Sequence, residues 1–124
     1  MASIEPRGPR QIWNAFIWSL KGLRAAWRYE ASFRFELYLC VVLMPLGLWL
    51  GHGPIEKVLL VLTPTLVLSA ELLNSAVEAV VDKVSPEFHE LAGRAKDMGS
   101  AAVFLLMLLV LLTWGLILGG RLLA

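Results

Sequence analysis

Five polar residues recur at intervals of three and four in an otherwise apolar part of this 124-residue sequence. They are Glu71, Asn74, Ser75, Glu78 and Asp82, and we call them the polar stripe because this spacing places them on one face of an α-helix. Paired carboxylates on one face can do two kinds of chemistry. One acid can accept a proton from an attacking hydroxyl, and others can bind Mg²⁺ together with phosphate oxygens.

The segment that contains the polar stripe is apolar enough to enter a membrane. Thirteen Leu and Val residues lie between Val58 and Val81, and at about 0.3 to 0.6 kcal/mol each they favour insertion by roughly 4 to 8 kcal/mol. Two carboxylates at the centre of a membrane helix would cost about 2.5 to 3.5 kcal/mol each and cancel most of that gain. The acids must therefore lie near an interface or line a protein-walled cavity. The alternative is that they pair with Arg or Lys between helices.

The composition excludes several classes of protein. Apolar residues make up 58% of the chain and charged residues 17%, whereas a soluble domain of this length needs more polar residues to cover its surface. The net charge of +1 argues against a nucleic-acid partner, which usually requires a strongly basic surface. Cys40 is the only cysteine and lies in an apolar run, so we interpret it as a buried structural thiol.

Hydrophobic periodicity predicts an all-α membrane protein with a single domain over residues 1–124. Between about residues 11 and 30, aromatic and aliphatic side chains alternate with basic ones at helical spacing, which predicts an amphipathic helix lying in the membrane interface. The apolar segments that follow predict transmembrane helices at about residues 33–52, 56–82 and 98–120.

The distribution of Lys and Arg predicts the orientation of these spans. Most basic residues lie before the first span or between the second and third, and only Lys57 and Arg121 lie on the other side. The positive-inside tendency then places the N-terminus in the cytoplasm and the C-terminus in the periplasm. In this orientation Glu71 and Glu78 lie near the cytoplasmic end of the second span, where a lipid headgroup and a nucleotide can meet.

Phosphoryl transfer requires a proton acceptor, a metal and a cation that stabilises the phosphate charge. Lys96, beside Asp97 at the start of the third span, is a candidate for that cation, although a lysine that extends to the membrane surface would fit the pattern equally well. Glu30, judged by pattern alone, is a solvated member of an ion pair. The sequence contains no P-loop motif, so a nucleotide site must be built from helices.

Three features together resemble the prokaryotic diacylglycerol kinase family. They are the segment WSLKGLRAAWRYEASFRFE in the first helix, the segment ELLNSAVEAVVDKVSPEFHELAGRAKDMGSAAV across the second span and connector, and the three-span layout. The resemblance covers the chain from about residue 18 onwards. It implies a homotrimeric helix bundle whose neighbouring subunits share active sites. It also implies conversion of diacylglycerol to phosphatidic acid at the inner membrane, with ATP as phosphoryl donor and Mg²⁺ as cofactor.

The resemblance further implies roles for individual residues. Glu71 would be the general base acting on the lipid hydroxyl, and Glu30 and Glu78 would bind the metal. The implied ATP contacts are Trp18 (where a tyrosine is common in the family), Glu30, Asn74, Glu78, Glu87, Phe88, His89, Lys96 and Asp97. The implied lipid-substrate contacts are Arg24, Ala25, Ala26, Trp27, Ala31, Ser32, Phe33, Arg34, Phe35, Glu36, Glu71 and Ser100.

Three other functions remain to be separated from diacylglycerol phosphorylation. Undecaprenol is an alternative acceptor lipid, although the segment GRAKDMGS (93–100) looks more like the diacylglycerol branch. A small non-kinase transporter could also contain an intramembrane acid, but we would expect that acid near the middle of the membrane. A non-enzymatic assembly protein explains the apolar spans and leaves the polar stripe without a reason.

Overall fold

The computed structural model describes residues 8–87 and 89–123. These residues form four α-helices, α1 (Pro9–Tyr29), α2 (Ala31–Leu50), α3 (Gly53–Val84) and α4 (Glu90–Leu123). None of the residues in the two described ranges is in a strand. Helices α2, α3 and α4 are each long and apolar enough to cross a membrane. The predicted fold class, an amphipathic helix followed by three apolar helices, is confirmed, and the homotrimer stays a prediction.

The helix ends follow from local chemistry. Pro9 is in the first turn of α1, where its missing N–H costs no hydrogen bond. Between α2 and α3 the backbone reverses at Gly53, whose φ of 78° lies in the left-handed region that glycine enters without steric cost. Helix α4 begins at Glu90, before the predicted span, because its first two turns are polar and continue the helix beyond the apolar segment.

Helix α3 lies at the centre and packs against both α2 and α4. The packing between α2 and α3 is close at Gly47, where an added Cβ would come within 2.9 Å of the Leu60 Cβ atom. Leu60 is fully buried, as is Phe33 on α2. Small residues allow helix backbones to approach one another in this way in membrane proteins, so Gly47 helps to set the distance between α2 and α3.

Two hydrogen bonds from neighbouring helices stabilise the region of α3 around Pro64. A proline has no N–H, so the carbonyl of Leu60 lacks its usual partner four residues later. The indole Nε1 of Trp114 on α4 donates to that carbonyl at 3.2 Å. From the other side, the thiol of Cys40 on α2 donates to the carbonyl of Pro64 at 3.3 Å. Cys40 is buried, as predicted, and its thiol bonds to the backbone.

Helix α1 is attached to the rest of the structure through its last turns. Of its residues, all of which the structure describes, Ala26 is the buried one, and the Trp27 ring meets Tyr38 of α2 edge-on at 5.7 Å between centroids. The aromatic side chains of Trp13 and Phe16 are exposed. This combination of exposed aromatic and basic residues is typical of a helix that lies in the membrane interface.

At the opposite end of the molecule, Arg121 near the end of α4 joins the turn between α2 and α3. Its guanidinium donates to the carboxylate of Glu56 and to the carbonyl of Leu50. The carboxylate of Glu56 also accepts the backbone N–H of His52 at 3.1 Å. These bonds hold the ends of the three long helices together on the side away from the polar stripe.

Candidate active site

A cavity of about 320 Å³ lies where α2, α3 and α4 meet the junction between α1 and α2. Its polar lining consists of Glu30, Ser32, Glu36, Glu71, Asn74, Glu78 and Ser100. Its apolar wall comes from three residues of α4, Val103, Phe104 and Met107. All seven polar residues were singled out from the sequence, and they come from three separate helices and the junction. We call this space the acidic cavity.

The polar stripe runs along α3 from the inside of the protein outwards. Glu71, Asn74 and Ser75 are buried, Glu78 is half-buried and Asp82 is exposed. The side-chain amide of Asn74 donates from Nδ2 to the Glu78 Oε1 atom at 3.3 Å. Burial therefore increases steadily along the stripe towards Glu71, so one end meets water and the other lies within the helices.

Two residues that line the acidic cavity have buried oxygens without a hydrogen-bond partner in the part of the chain that the structure describes. They are Oε2 of Glu36 and Oδ1 of Asn74. A buried polar atom left unpaired costs about 1 to 3 kcal/mol. Such atoms in a cavity lining are typical of a site that receives polar groups from a bound molecule or from water.

Like Glu30, Glu36 is an acid that the sequence pattern alone did not place in the site. It is 4% exposed and shares the cavity with Glu71, whereas sequence reasoning reached it only through the family resemblance. The apolar wall was missed altogether. Ser100, Val103, Phe104 and Met107 follow helical spacing on one face of α4, and that spacing is the signal that could have identified the wall.

The other predicted ATP contacts lie outside the described lining of the cavity. Trp18 is exposed on α1, Glu87 and His89 are exposed in the connector, and Asp97 is exposed on α4. Phe88 lies outside the described residues. Lys96 forms an ion pair across the helices, with 2.5 Å between its Nζ and Asp82 Oδ1 on α3. Its ammonium group is therefore held next to the outer end of the polar stripe.

The predicted lipid contacts other than Arg34 fall into three groups. Ser32, Glu36, Glu71 and Ser100 line the acidic cavity. The exposed residues are Arg24, Ala25, Trp27, Ala31 and Phe35, and the buried ones are Ala26 and Phe33. Arg34 differs from all of these, since its Nη1 donates to the carbonyls of Trp27 and Arg28 at the end of α1.

The donor set suits a magnesium ion that arrives with a nucleotide. Within the described ranges, no three His, Cys, Asp or Glu side chains are grouped closely enough to bind a metal by themselves. Glu30 and Glu78 nevertheless line the same cavity, and Mg²⁺ is usually bound by one or two carboxylates together with substrate phosphates. Asn74, with one unpaired oxygen, adds a further polar group. These residues therefore fit Mg²⁺ with its phosphate ligands.

Comparison with known proteins finds a family and several relatives that match most of the chain. Residues 17–118 match the family described as prokaryotic diacylglycerol kinase. The chain is 47% identical over 108 residues to the diacylglycerol kinase of Haemophilus influenzae, covering 87% of this chain and 92% of that protein. It is 47% identical over 111 residues to that of Escherichia coli K12, covering 90% and 91%. It is 39% identical over 118 residues to that of Helicobacter pylori 26695, covering 95% and 89%.

The region that matches the family includes every residue that lines the acidic cavity. It also includes the three apolar helices almost in full. Because the match spans most of the chain, we conclude that the chain belongs to the prokaryotic diacylglycerol kinase family.

Proposed function

We propose that this membrane kinase transfers the γ-phosphate of ATP to the free hydroxyl of diacylglycerol and releases phosphatidic acid at the cytoplasmic face of the inner membrane. The observation that carries this proposal is the acidic cavity, in which a buried carboxylate, Glu71, lies among Glu30, Asn74 and Glu78. The relatives that match about nine-tenths of the chain are named diacylglycerol kinases.

Glu71 is the general base of the proposed reaction. It accepts the proton of the lipid hydroxyl as that oxygen attacks the γ-phosphorus, and the bond between the γ-phosphorus and the ADP oxygen breaks. Its position on α3 supports this role, because it is the most deeply buried acid of the polar stripe and faces a cavity with an apolar wall. An apolar chain can lie against that wall while the hydroxyl reaches the carboxylate.

Glu30 and Glu78 would hold the Mg²⁺ that accompanies ATP. When bound, the metal neutralises charge on the phosphates during transfer. Asn74 orients Glu78 through the hydrogen bond from its amide, which fixes one carboxylate oxygen and leaves the other available. Lys96 contacts the phosphates from the outer side, since its ion pair with Asp82 holds it one helical turn beyond Glu78.

The nucleotide base and sugar are held by residues of α1, of the connector and of the start of α4, namely Trp18, Glu87, Phe88, His89 and Asp97. The acidic cavity of the same subunit is not lined by Trp18, Glu87, His89 or Asp97, which supports a homotrimer in which a neighbouring subunit completes each site. Apart from Arg34, the remaining lipid contacts predicted on α1 and α2 surround the entrance used by the substrate. In this assembly the N-terminus is cytoplasmic and the C-terminus periplasmic.

A competition assay tests the proposal. Purified protein in mixed micelles receives ATP labelled at the γ-phosphate together with equal amounts of diacylglycerol and undecaprenol, with Mg²⁺ or with a chelator. We expect Mg²⁺-dependent label in phosphatidic acid. Label in undecaprenyl phosphate instead would identify undecaprenol as the acceptor lipid. An absence of label from both lipids would refute the kinase assignment for these substrates.

A further inference from the structure

Glu30 occupies the junction between two helices, where it ends α1 and precedes α2. Its backbone N–H donates to the carbonyl of Ala26 at 2.9 Å, and its carbonyl accepts the N–H of Arg34 at 3.2 Å. An Asp or Asn in this position commonly caps the following helix with its side chain, whereas the carboxylate of Glu30 makes no such bond. Its carboxylate is therefore available to the acidic cavity, which it lines.

The side chain of Arg34 spans this junction. Its Nη1 donates to the carbonyl of Trp27 at 2.9 Å and to the carbonyl of Arg28 at 3.3 Å. Both carbonyls are in the last turn of α1, where backbone oxygens lack partners within the helix. A cation is favourable at the C-terminus of a helix and unfavourable in the first turn. Arg34 is in the first turn of α2, so its charge stabilises α1 at the expense of α2.

Few other contacts determine the angle between α1 and α2. Most of α1 is exposed, with Ala26 buried and the ring of Trp27 against Tyr38. The two hydrogen bonds from Arg34 are thus among the few contacts that connect these helices. A change in that connection would move Glu30 relative to Glu78, because Glu78 belongs to the separately packed α3.

We infer that Arg34 is a positioning residue for the metal site, which it serves by holding the junction from which Glu30 reaches the acidic cavity. The inference rests on the proposed role of Glu30 as a ligand of Mg²⁺. It also replaces the lipid contact that the family resemblance implies for Arg34. Residues that orient metal-binding carboxylates typically change metal affinity or activity by about 10- to 100-fold when they are substituted.

The first test is the Mg²⁺ dependence of Arg34→Gln. We expect the Mg²⁺ concentration for half-maximal activity to rise about tenfold. The KM for diacylglycerol should stay within about twofold of the parent, because the lipid site is unchanged. Arg34→Lys retains the charge, but its ammonium nitrogen ends one bond short of the position of Nη1. Its Mg²⁺ dependence should therefore fall between those of the parent and Arg34→Gln.

The second test measures the metal directly. Mn²⁺ binding is followed by electron paramagnetic resonance in the presence of a non-hydrolysable ATP analogue, which requires no turnover. Arg34→Gln should weaken Mn²⁺ binding by about tenfold. The matched control is Arg28→Gln, which removes one charge from the same end of α1 but keeps the carbonyl that Arg34 contacts, and it should bind Mn²⁺ within about twofold of the parent.

The outcomes separate this inference from the proposed function. A raised KM for diacylglycerol with unchanged metal dependence would overturn the inference and return Arg34 to the lipid site, and unchanged values for both would also overturn it. If Arg34→Gln does not fold, Arg34→Lys still decides the result. A parent that binds Mn²⁺ with the analogue, weakened as expected in the variants, but phosphorylates no lipid would contradict the proposed function and leave the inference standing.

Discussion

At the scale of single residues, the acidic cavity depends on the space left by a glycine of α4. A Cβ added at Gly99 would overlap the Oδ1 atom of Asn74, and the same amide donates to Glu78. Asn74 is 7% exposed, so it has little room in which to move. Gly99 therefore allows Asn74 to orient the proposed metal ligand.

Gly99→Ala should lower activity by about 10- to 100-fold, because the displaced amide no longer orients Glu78. The measurement is steady-state turnover at saturating lipid, with the free energy of unfolding recorded in the same micelles. Gly115→Ala is the matched control, since a Cβ there meets no other atom and should change turnover by no more than about twofold. Equal activities for the two variants would remove Asn74 from its positioning role.

Glu71→Gln should reduce turnover by roughly 10² to 10⁴, the usual effect of a lost general base. The amide is nearly isosteric with the carboxylate, so the fold and the oligomer should be retained. Turnover and size-exclusion profiles check both expectations. Glu90→Gln removes an exposed acid of α4 and should retain activity to within about twofold; a similar retention in Glu71→Gln would assign the proton transfer to another group.

At the scale of helices, α3 is continuous from Gly53 to Val84 although it contains Pro64, which removes one backbone hydrogen bond from the helix. The hydrogen bond from Trp114 to the Leu60 carbonyl replaces the one that Pro64 cannot make. The same bond joins α3 to α4 near the middle of the bundle. Because Pro64 leaves the Leu60 carbonyl without a partner in α3, this carbonyl can accept the hydrogen bond that joins α3 to α4.

Trp114→Phe should lower the free energy of unfolding by about 0.6 kcal/mol, and by no more than about 1.7 kcal/mol, the range for hydrogen bonds between membrane helices. Equilibrium denaturation in micelles measures this change. Trp49→Phe, at an exposed position, is the control for loss of an indole. In a Pro64→Ala background the Leu60 carbonyl regains a partner within α3, so Trp114→Phe should cost less there; equal costs in both backgrounds would disprove the coupling.

At the scale of the whole molecule, the two ends of the bundle differ in chemistry. The acidic cavity and the Asp82–Lys96 pair are at one end, and the Glu56–Arg121 pair closes the other. Basic residues are concentrated at the first end, as the positive-inside tendency requires of a cytoplasmic surface. The predicted topology therefore places this end in the cytoplasm, where ATP is available.

Cysteine labelling tests the orientation. In a Cys40→Ala background, His52→Cys should react with a membrane-impermeant maleimide in intact spheroplasts, because it lies in the turn at the predicted periplasmic end. Ser85→Cys, in the connector, should react only after lysis. Kinase activity of each variant serves as the control for correct folding, and the reverse labelling pattern would contradict the predicted topology.

The sequence alone determined the helical class, the approximate spans and the polar stripe. It also determined which end of the bundle has more basic residues. These properties depend on local periodicity, on hydropathy and on the positions of charges along the chain, so no contact between helices is needed to predict them. The pattern also identified Glu71, Asn74 and Glu78 as one group, since they belong to a single helix. It could not place Glu30, which looked like an ordinary surface acid.

Only the tertiary structure decided which residues of different helices meet. Glu30, Glu36 and Ser100 line the acidic cavity with α3, Lys96 pairs with Asp82, and Trp114 reaches the Leu60 carbonyl. Each of these contacts depends on the rotation and axial offset of one helix against another. Interlocking side chains and close approaches such as that at Gly47 set both quantities, and the periodicity of a single helix contains no information about its neighbour's position.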